Sequence, residues 1–283
     1  MAITIHTYKL LKYFEKEIKN FGDILSLGRL DILISKADCK KFNIPETNKG
    51  FVSKNSFFNF NFNSIESIDV SEFENANIIH DLNFPLTNHP KKYDTVIDFG
   101  TSEHIFNVFQ NFKNISNLCK TNGYILHCLP ANNNCGHGFY QFSPEFFFQL
   151  YREENGYSNI EIYLVDMLEK NKFYQVNNYT YKERLDFNSK VPLYIAVKAK
   201  KINETNFKNI FQSDYENQWS NEKNNKLPNK KFFSRKYKNF KTIFKKKLSK
   251  MPYLGEYYQK KVEFKFYKKK NFLKSKFIKR KII

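Results

Sequence analysis

Short apolar runs, each closed by a polar cluster, most constrain what this chain can fold into. Ser67-Ile68-Asp69-Val70 is one, and Ile78-Ile79-His80-Asp81-Leu82-Asn83 is the next. A third runs from Tyr93 through Val96, Ile97 and Asp98 into Gly100-Thr101-Ser102-Glu103-His104. Upstream, Ile24-Leu25-Ser26-Leu27-Gly28 reads as the first strand of the series and its turn. Buried parallel strands have this form, brief apolar stretches bounded by turn signals. In open α/β sheets ligands sit in the crevice beyond the carboxyl ends of the strands. Asp69, Asp81 and residues 100–104 are therefore expected to line one crevice.

The connecting segments carry a helical period. Leu10, Leu11, Phe14, Ile18 and Phe21 recur at helical spacing, and Gly22 marks a stop. Ile105, Val108, Phe109, Phe112, Ile115 and Leu118 mark one face of a second helix, ended by Asn122-Gly123 before a strand over 124–129. Ser143-Pro144-Glu145 starts a third, with an N-cap serine, proline in the first turn and an acid beside it; Asn155-Gly156 closes it. Residues 159–165 and 193–197 read as the last two strands, and the polar insertion between them, 168–190, has no assignment. Residues 36–62 are Asn-rich, and Pro45 and Gly50 make them a loop or a broken helix. Strands alternating with helices predict an α/β, doubly wound, mostly parallel sheet.

Three runs in order carry a family resemblance: Asp81-Leu82-Asn83-Phe84-Pro85, the stretch from Ile97 to Asn107, and the stretch from Pro130 to Glu145. Over roughly residues 20–165 the sequence resembles the class I S-adenosylmethionine-dependent methyltransferases. The resemblance implies a seven-stranded Rossmann-like sheet with one antiparallel strand near the edge. It also implies S-adenosylmethionine as cofactor, and methyl transfer to an oxygen or nitrogen of a small molecule or glycan. Asp69 would accept hydrogen bonds from the ribose diol, Asp81 would meet the adenine amino group with Leu82 beside it, and Asp98 and Gly100 would complete the cofactor site. The first-strand turn departs from the family pattern. Ser26, Gly28, Leu30 and Ile32 stand where an acid and glycines are expected, so Gly28 alone remains, with Arg29 and Asp31 as replacement polar contacts.

The position just past the fourth strand faces the reacting methyl group in this fold, which assigns a catalytic place to Glu103 and His104. His137 sits between Gly136 and Gly138 in a loop able to fold tightly over a ligand. Either histidine can take a proton near neutrality, or can satisfy backbone carbonyls instead. Tyr140 and Gln141 are expected to orient a polar substrate. His127, Cys128, Cys135 and His137 fit no common zinc spacing, and no metal is expected. The alternative from another class is a non-catalytic, methyltransferase-like binding protein, suggested by the reduced glycine turn.

Charge separates a second region. Of the formal net charge of +19, residues 226–283 contribute 22 Lys and Arg against two acids, and residues 1–225 are nearly neutral. This divides the chain into a methyltransferase-like domain over 1–205 and a basic, Lys- and aromatic-rich C-terminal appendage over 206–283. Phe233, Tyr237, Phe240, Phe244, Leu248 and Met251 recur among lysines, as in a basic amphipathic helix over 230–250. Such a helix packs on its own domain or meets an anionic partner, a membrane surface ahead of nucleic acid. Four scattered cysteines without a C-x-x-C pair, and no leader pattern, point to a cytoplasmic protein, peripheral to the membrane if the tail docks there. Oligomeric state is not legible.

Overall fold

A computed structural model describes residues 2–44, 50–53, 60–87, 89–177, 185, 189–205, 207, 210–216, 219 and 278–282. The chain opens with β1 (Ala2–Ile3), α1 (Ile5–Ile18), β2 (Asp23–Leu27), β3 (Asp31–Ile32) and α2 (Lys36–Phe42). Next come β4 (Ser64–Asp69), β5 (Ile78–Ile79), β6 (Tyr93–Asp98), α3 (Val108–Leu118) and β7 (Cys119–Asn132). The remainder holds α4 (Pro144–Leu150), β8 (Tyr157–Asp166), β9 (Lys172–Val176), β10 (Leu193–Lys201) and β11 (Ile278–Ile282).

The main sheet has the order β11-β9-β8-β10-β7-β6-β2-β4-β5. From β5 to β7 all neighbours are parallel, while β10 runs antiparallel to both β7 and β8. In chain order the parallel part reads 3-2-1-4-5, the doubly wound arrangement, and its direction reverses between β2 and β6. The sheet is thus α/β and Rossmann-like, but it holds nine strands rather than the expected seven. One extra strand, β9, comes from the unassigned insertion and forms a hairpin with β8. The other, β11, comes from the C-terminal stretch and pairs with β9.

Each strand feeds two cores because side chains alternate. Leu25, Leu27 and Val96 join α3 and α4 on one face, through Phe112, Ile115 and Phe147. Ile24, Ile97 and Leu126 join α1 on the other, through Leu10, Leu11 and Phe14. α1 starts where Thr4 and Thr7 close a reciprocal capping box. α4 starts on Ser143, whose hydroxyl accepts from the Phe146 N–H, with Pro144 in the first turn, as its sequence requires. That helix ends at Leu150, and Asn155 belongs to a separate 3-10 turn.

α3 begins later than its apolar face suggested, at Val108, and gives way to β7 at Cys119 rather than at Tyr124. Buried Lys201 sends its ammonium to the carbonyls of Ser116, 2.9 Å, and Cys119, 3.2 Å, at the C-terminal end of the helix.

Residues just past the boundary expected at 205 make contacts with the core. Phe207 stacks on Tyr157 at 6.3 Å between ring centroids, and the Ser213 N–H donates to Glu145 at 2.8 Å. Arg152 pairs with Glu216. Phe207, Ser213 and Glu216 thus pack on the α/β core. The helix read over 230–250 lies outside the described residues. Among the described residues, no helix is long and apolar enough to cross a membrane.

Candidate active site

The reversal point of the sheet is where the ends of β2 and β6 are stitched together. The Thr101 hydroxyl donates to the Leu27 carbonyl at 2.7 Å. Beyond it Asp98 organises the turn. One of its oxygens accepts from the Thr101 and Ser102 N–H groups, 3.1 and 3.2 Å, and the other from the Ser102 hydroxyl, 2.5 Å, and His127 Nδ1, 2.8 Å. His127 Nε2 in turn meets the Tyr151 hydroxyl at 2.7 Å, and Asn111 donates to Ser102. Asp98 is fully buried and its acceptor sites are filled. Asp98, expected as a cofactor contact, instead builds the turn from within, and both of its oxygens already accept hydrogen bonds among the described residues.

Two cavities open on the carboxyl side of the sheet and share Gly100 and His104. The first, about 340 Å³, is lined by Asp69, Asp81, Leu82, His80, Asn83 and Thr101 among others. Asp69 ends β4, as expected, while Asp81 lies two residues past the end of the adjacent β5 rather than on it. Asp81 Oδ1 accepts from the Asn83 N–H and side-chain amide, which leaves Oδ2 without a hydrogen bond among the described residues. Asp69 Oδ1 has only a long contact of 3.4 Å from the Ser71 N–H. The run after Asp81 is fixed by α3 and its N-cap: Asn114 donates to the Leu82 and Phe84 carbonyls, and Asn107 donates its backbone N–H to Asn83 Oδ1 and its side-chain amide to the Asn83 carbonyl. The asparagines of the recurring runs thus hold the acid-bearing loop in place.

The second cavity, about 310 Å³, is lined by Glu103, His104, His137, His6, Thr4, Thr7, Cys128 and Tyr194, with others. Glu103 is fully buried, and neither carboxylate oxygen has a hydrogen-bond partner. His137 Nε2 lies 3.3 Å from Glu103 Oε1, within ion-pair range but misaligned for a hydrogen bond, and His104 Nε2 lies 3.9 Å away. Burial pushes the Glu103 carboxyl up to about 8, with the Asp98 charge adding to it. Burial, then the neighbouring His137, holds His104 below the ordinary histidine range.

Backbone contacts place His137. The Phe139 and Tyr140 N–H groups donate to the Glu103 carbonyl at 2.6 and 3.3 Å. Gly138 has φ +72°, and a Cβ there would stand 2.7 Å from that same carbonyl oxygen, so only glycine lets the loop press so closely on the turn.

The remaining expected residues lie apart from both cavities. Gly28 spends its N–H on the Ile68 carbonyl at 2.7 Å. Arg29 lines a different cavity, donates to the Glu74 carbonyl at 2.6 Å and stacks on Phe51. The Tyr140 hydroxyl donates to the Phe106 carbonyl, and Gln141 Oε1 accepts from the Asn134 N–H, so both tie the loop together. Of the four residues weighed as a zinc set, His127 is held within the Asp98 network while Cys128, next along β7, lines the second cavity. Sequence reading missed His6 and His80. His6 is buried with Nε2 unpartnered, and no periodicity flags a histidine on a helix built of core residues.

No family model and no curated protein matches this chain. Among solved structures it is similar to TehB from Haemophilus influenzae, at 12% identity and TM-score 0.38, covering 69% of this chain and 62% of that one. It is similar to the N-methyltransferase NodS from Bradyrhizobium japonicum WM9, at 9% identity and TM-score 0.38, over 69% and 94% of the two chains. An S-adenosylmethionine-dependent methyltransferase from Clostridium acetobutylicum ATCC 824 gives 11% identity and TM-score 0.28, over 70% and 74%. The chain thus spans less than two thirds of TehB. The functional reading rests on the chain's own strand order and site.

Proposed function

We propose that this protein is an S-adenosylmethionine-dependent methyltransferase acting on an oxygen or nitrogen of a small molecule or glycan. The observation that carries this is the pair of cavities meeting at Gly100 and His104 beyond the reversal point of the sheet, one lined by strand-end acids and one by a carboxyl–histidine cluster. The first cavity fits the cofactor: Asp81 Oδ2 is free to accept, Asp69 is only weakly engaged, and Leu82 and Ile68 supply apolar wall. Asp69 would accept from the ribose diol, and Asp81 from the adenine amino group. The Gly28 turn contributes no N–H to this recognition, because that N–H is already bonded. Bound there, S-adenosylmethionine supplies an activated methyl group. In the adjoining cavity Thr4, Thr7 and Tyr194 can orient a polar acceptor, and His104 or His137 can take its proton.

Isothermal calorimetry of the full chain with S-adenosylhomocysteine tests this. Saturable binding is expected, and Asp69→Ala should weaken it by about 1.5–3 kcal/mol, the range for a hydrogen bond to a charged group. His104→Ala should lower turnover by far more than it weakens that affinity, since His104 lines both cavities. Folded protein that binds neither S-adenosylmethionine nor its demethylated product would favour the non-catalytic alternative. The C-terminal basic segment we assign to an anionic surface, supported by its charge of 22 basic residues against two acids.

A further inference from the structure

Glu103, His104 and His137 each offer one ligand atom, and these atoms all lie within 4.8 Å of one another. A cation with bonds of about 2.1 Å sets its neighbouring ligand atoms roughly 3–3.5 Å apart. The Glu103–His137 separation of 3.3 Å already matches, while the 3.9 Å to His104, within a spread of 4.8 Å for the three atoms, requires the rings to move inward on binding. Both imidazoles are half-exposed, 49% for each side chain, so neither ring is locked by packing.

The second observation is the carboxylate itself. Glu103 has 0% exposure, and both of its oxygens lack a hydrogen bond. A buried polar group without a partner is costly, and native proteins keep one only where something satisfies it. Meanwhile the backbone is arranged to hold His137 over this oxygen, through the Phe139 and Tyr140 N–H bonds to the Glu103 carbonyl and the close approach at Gly138. Glu103 and His104 are consecutive in the short turn that Asp98 fixes from below. The three groups are thus positioned by backbone, whatever occupies the space among them.

We infer that Glu103, His104 and His137 form a mononuclear site for a divalent first-row transition cation, with open positions facing the second cavity. Two imidazoles and one carboxylate are the donor set of open zinc and iron(II) sites, and imidazole disfavours magnesium and calcium. The cation would satisfy the Glu103 oxygens. Its open positions would take an oxygen or nitrogen donor of a small ligand entering past Thr4, Thr7 and Tyr194. This goes beyond the methyltransferase reading: a bound cation takes up a lone pair of each imidazole, so in the metal-loaded chain His104 and His137 act as ligands and not as the base for an acceptor.

The test is titration of the chelator-treated, tag-free full chain with Co2+, read by visible absorption, followed by displacement with Zn2+. One Co2+ per chain is expected, with the absorption of a nitrogen- and oxygen-ligated ion. Glu103→Gln and His137→Ala should each weaken binding at least about 100-fold, beyond what loss of an outer-shell partner does. His137 is half-exposed on a loop, so its replacement leaves a folded chain even if the buried Glu103 variant does not. Absence of saturable Co2+ binding overturns the site, as does binding that survives His137→Ala unchanged. Calorimetry with S-adenosylhomocysteine on the same sample keeps the two readings apart. Cofactor binding without Co2+ binding removes the metal and leaves methyl transfer standing, and the converse removes methyl transfer alone.

Discussion

Asp69 and Asp98 read alike in the sequence, each an aspartate closing an apolar strand, and the fold gives them unlike tasks. Asp69 stops at the rim of the first cavity, while Asp98 turns inward and collects the Thr101, Ser102 and His127 donors. The difference is one of facing, because side chains alternate along a strand and register decides which acid meets the crevice. Spacing alone located the crevice and the acids Asp69 and Asp81, but not which way Asp98 points. The consequence is testable. Asp98→Asn replaces an acceptor oxygen by a donor opposite His127 or the Ser102 hydroxyl, so one buried hydrogen bond becomes a clash of donors. We expect a loss of roughly 3 kcal/mol in urea unfolding, with cofactor affinity falling only as far as the turn loosens. An unchanged unfolding midpoint would return Asp98 to the list of ligand contacts.

At the scale of elements, legibility follows how local the determining chemistry is. α4 begins where Ser143-Pro144-Glu145 says it must, since cap, proline and acid act within one turn. β9 was invisible because Lys172-Phe173-Tyr174-Gln175-Val176 becomes a strand through pairing, with β8 across a hairpin and with β11, which is distant in sequence. The end of α3 was misread for the same reason. Lysines 198 and 201 look like surface residues, yet they are 1% and 0% exposed. Lys198 is held between Glu17 and Glu161, and Lys201 closes the C-terminal end of α3 from across the sheet. Lys201→Met should leave the Ser116 and Cys119 carbonyls without their donor. Loss of a favourable, partly buried charge at a helix C-terminus costs up to about 2 kcal/mol. Hydrogen exchange should report it as faster exchange confined to the last turn of α3, with the amides of β6 and β2 unaffected. Uniformly faster exchange across the sheet would mean that Lys201 supports the core as a whole rather than this helix end.

Over the whole molecule, the crevice and β11, the described end of the basic segment, lie at different places in the sheet. The two cavities gather at the ends of β4, β5, β6 and β7, whereas β11 is the third strand beyond β10. At about 4.8 Å per strand this sets β11 roughly 15 Å from β10. Lys281 rests over the rings of Tyr13 and Tyr163, which ties the end of the basic segment to α1 and β8. Binding of anions by the segment and binding of cofactor in the crevice should therefore separate. A fragment of residues 1–225 is expected to keep the affinity of the full chain for S-adenosylhomocysteine and to lose sedimentation with anionic vesicles. In the full chain that sedimentation should weaken as salt rises, because exposed charges are screened beyond about 8 Å at physiological ionic strength. Each basic residue near the surface contributes about 1 kcal/mol, so many are needed and no single substitution abolishes binding. The fragment also uncovers the hydrogen-bonding edge of β9, and an exposed strand edge recruits another. Light scattering should accordingly find the fragment self-associating with rising concentration, and the full chain not. A monodisperse fragment that still binds anionic vesicles would overturn both expectations, and a fragment that fails to fold would make β11 part of the core rather than a cover for its edge.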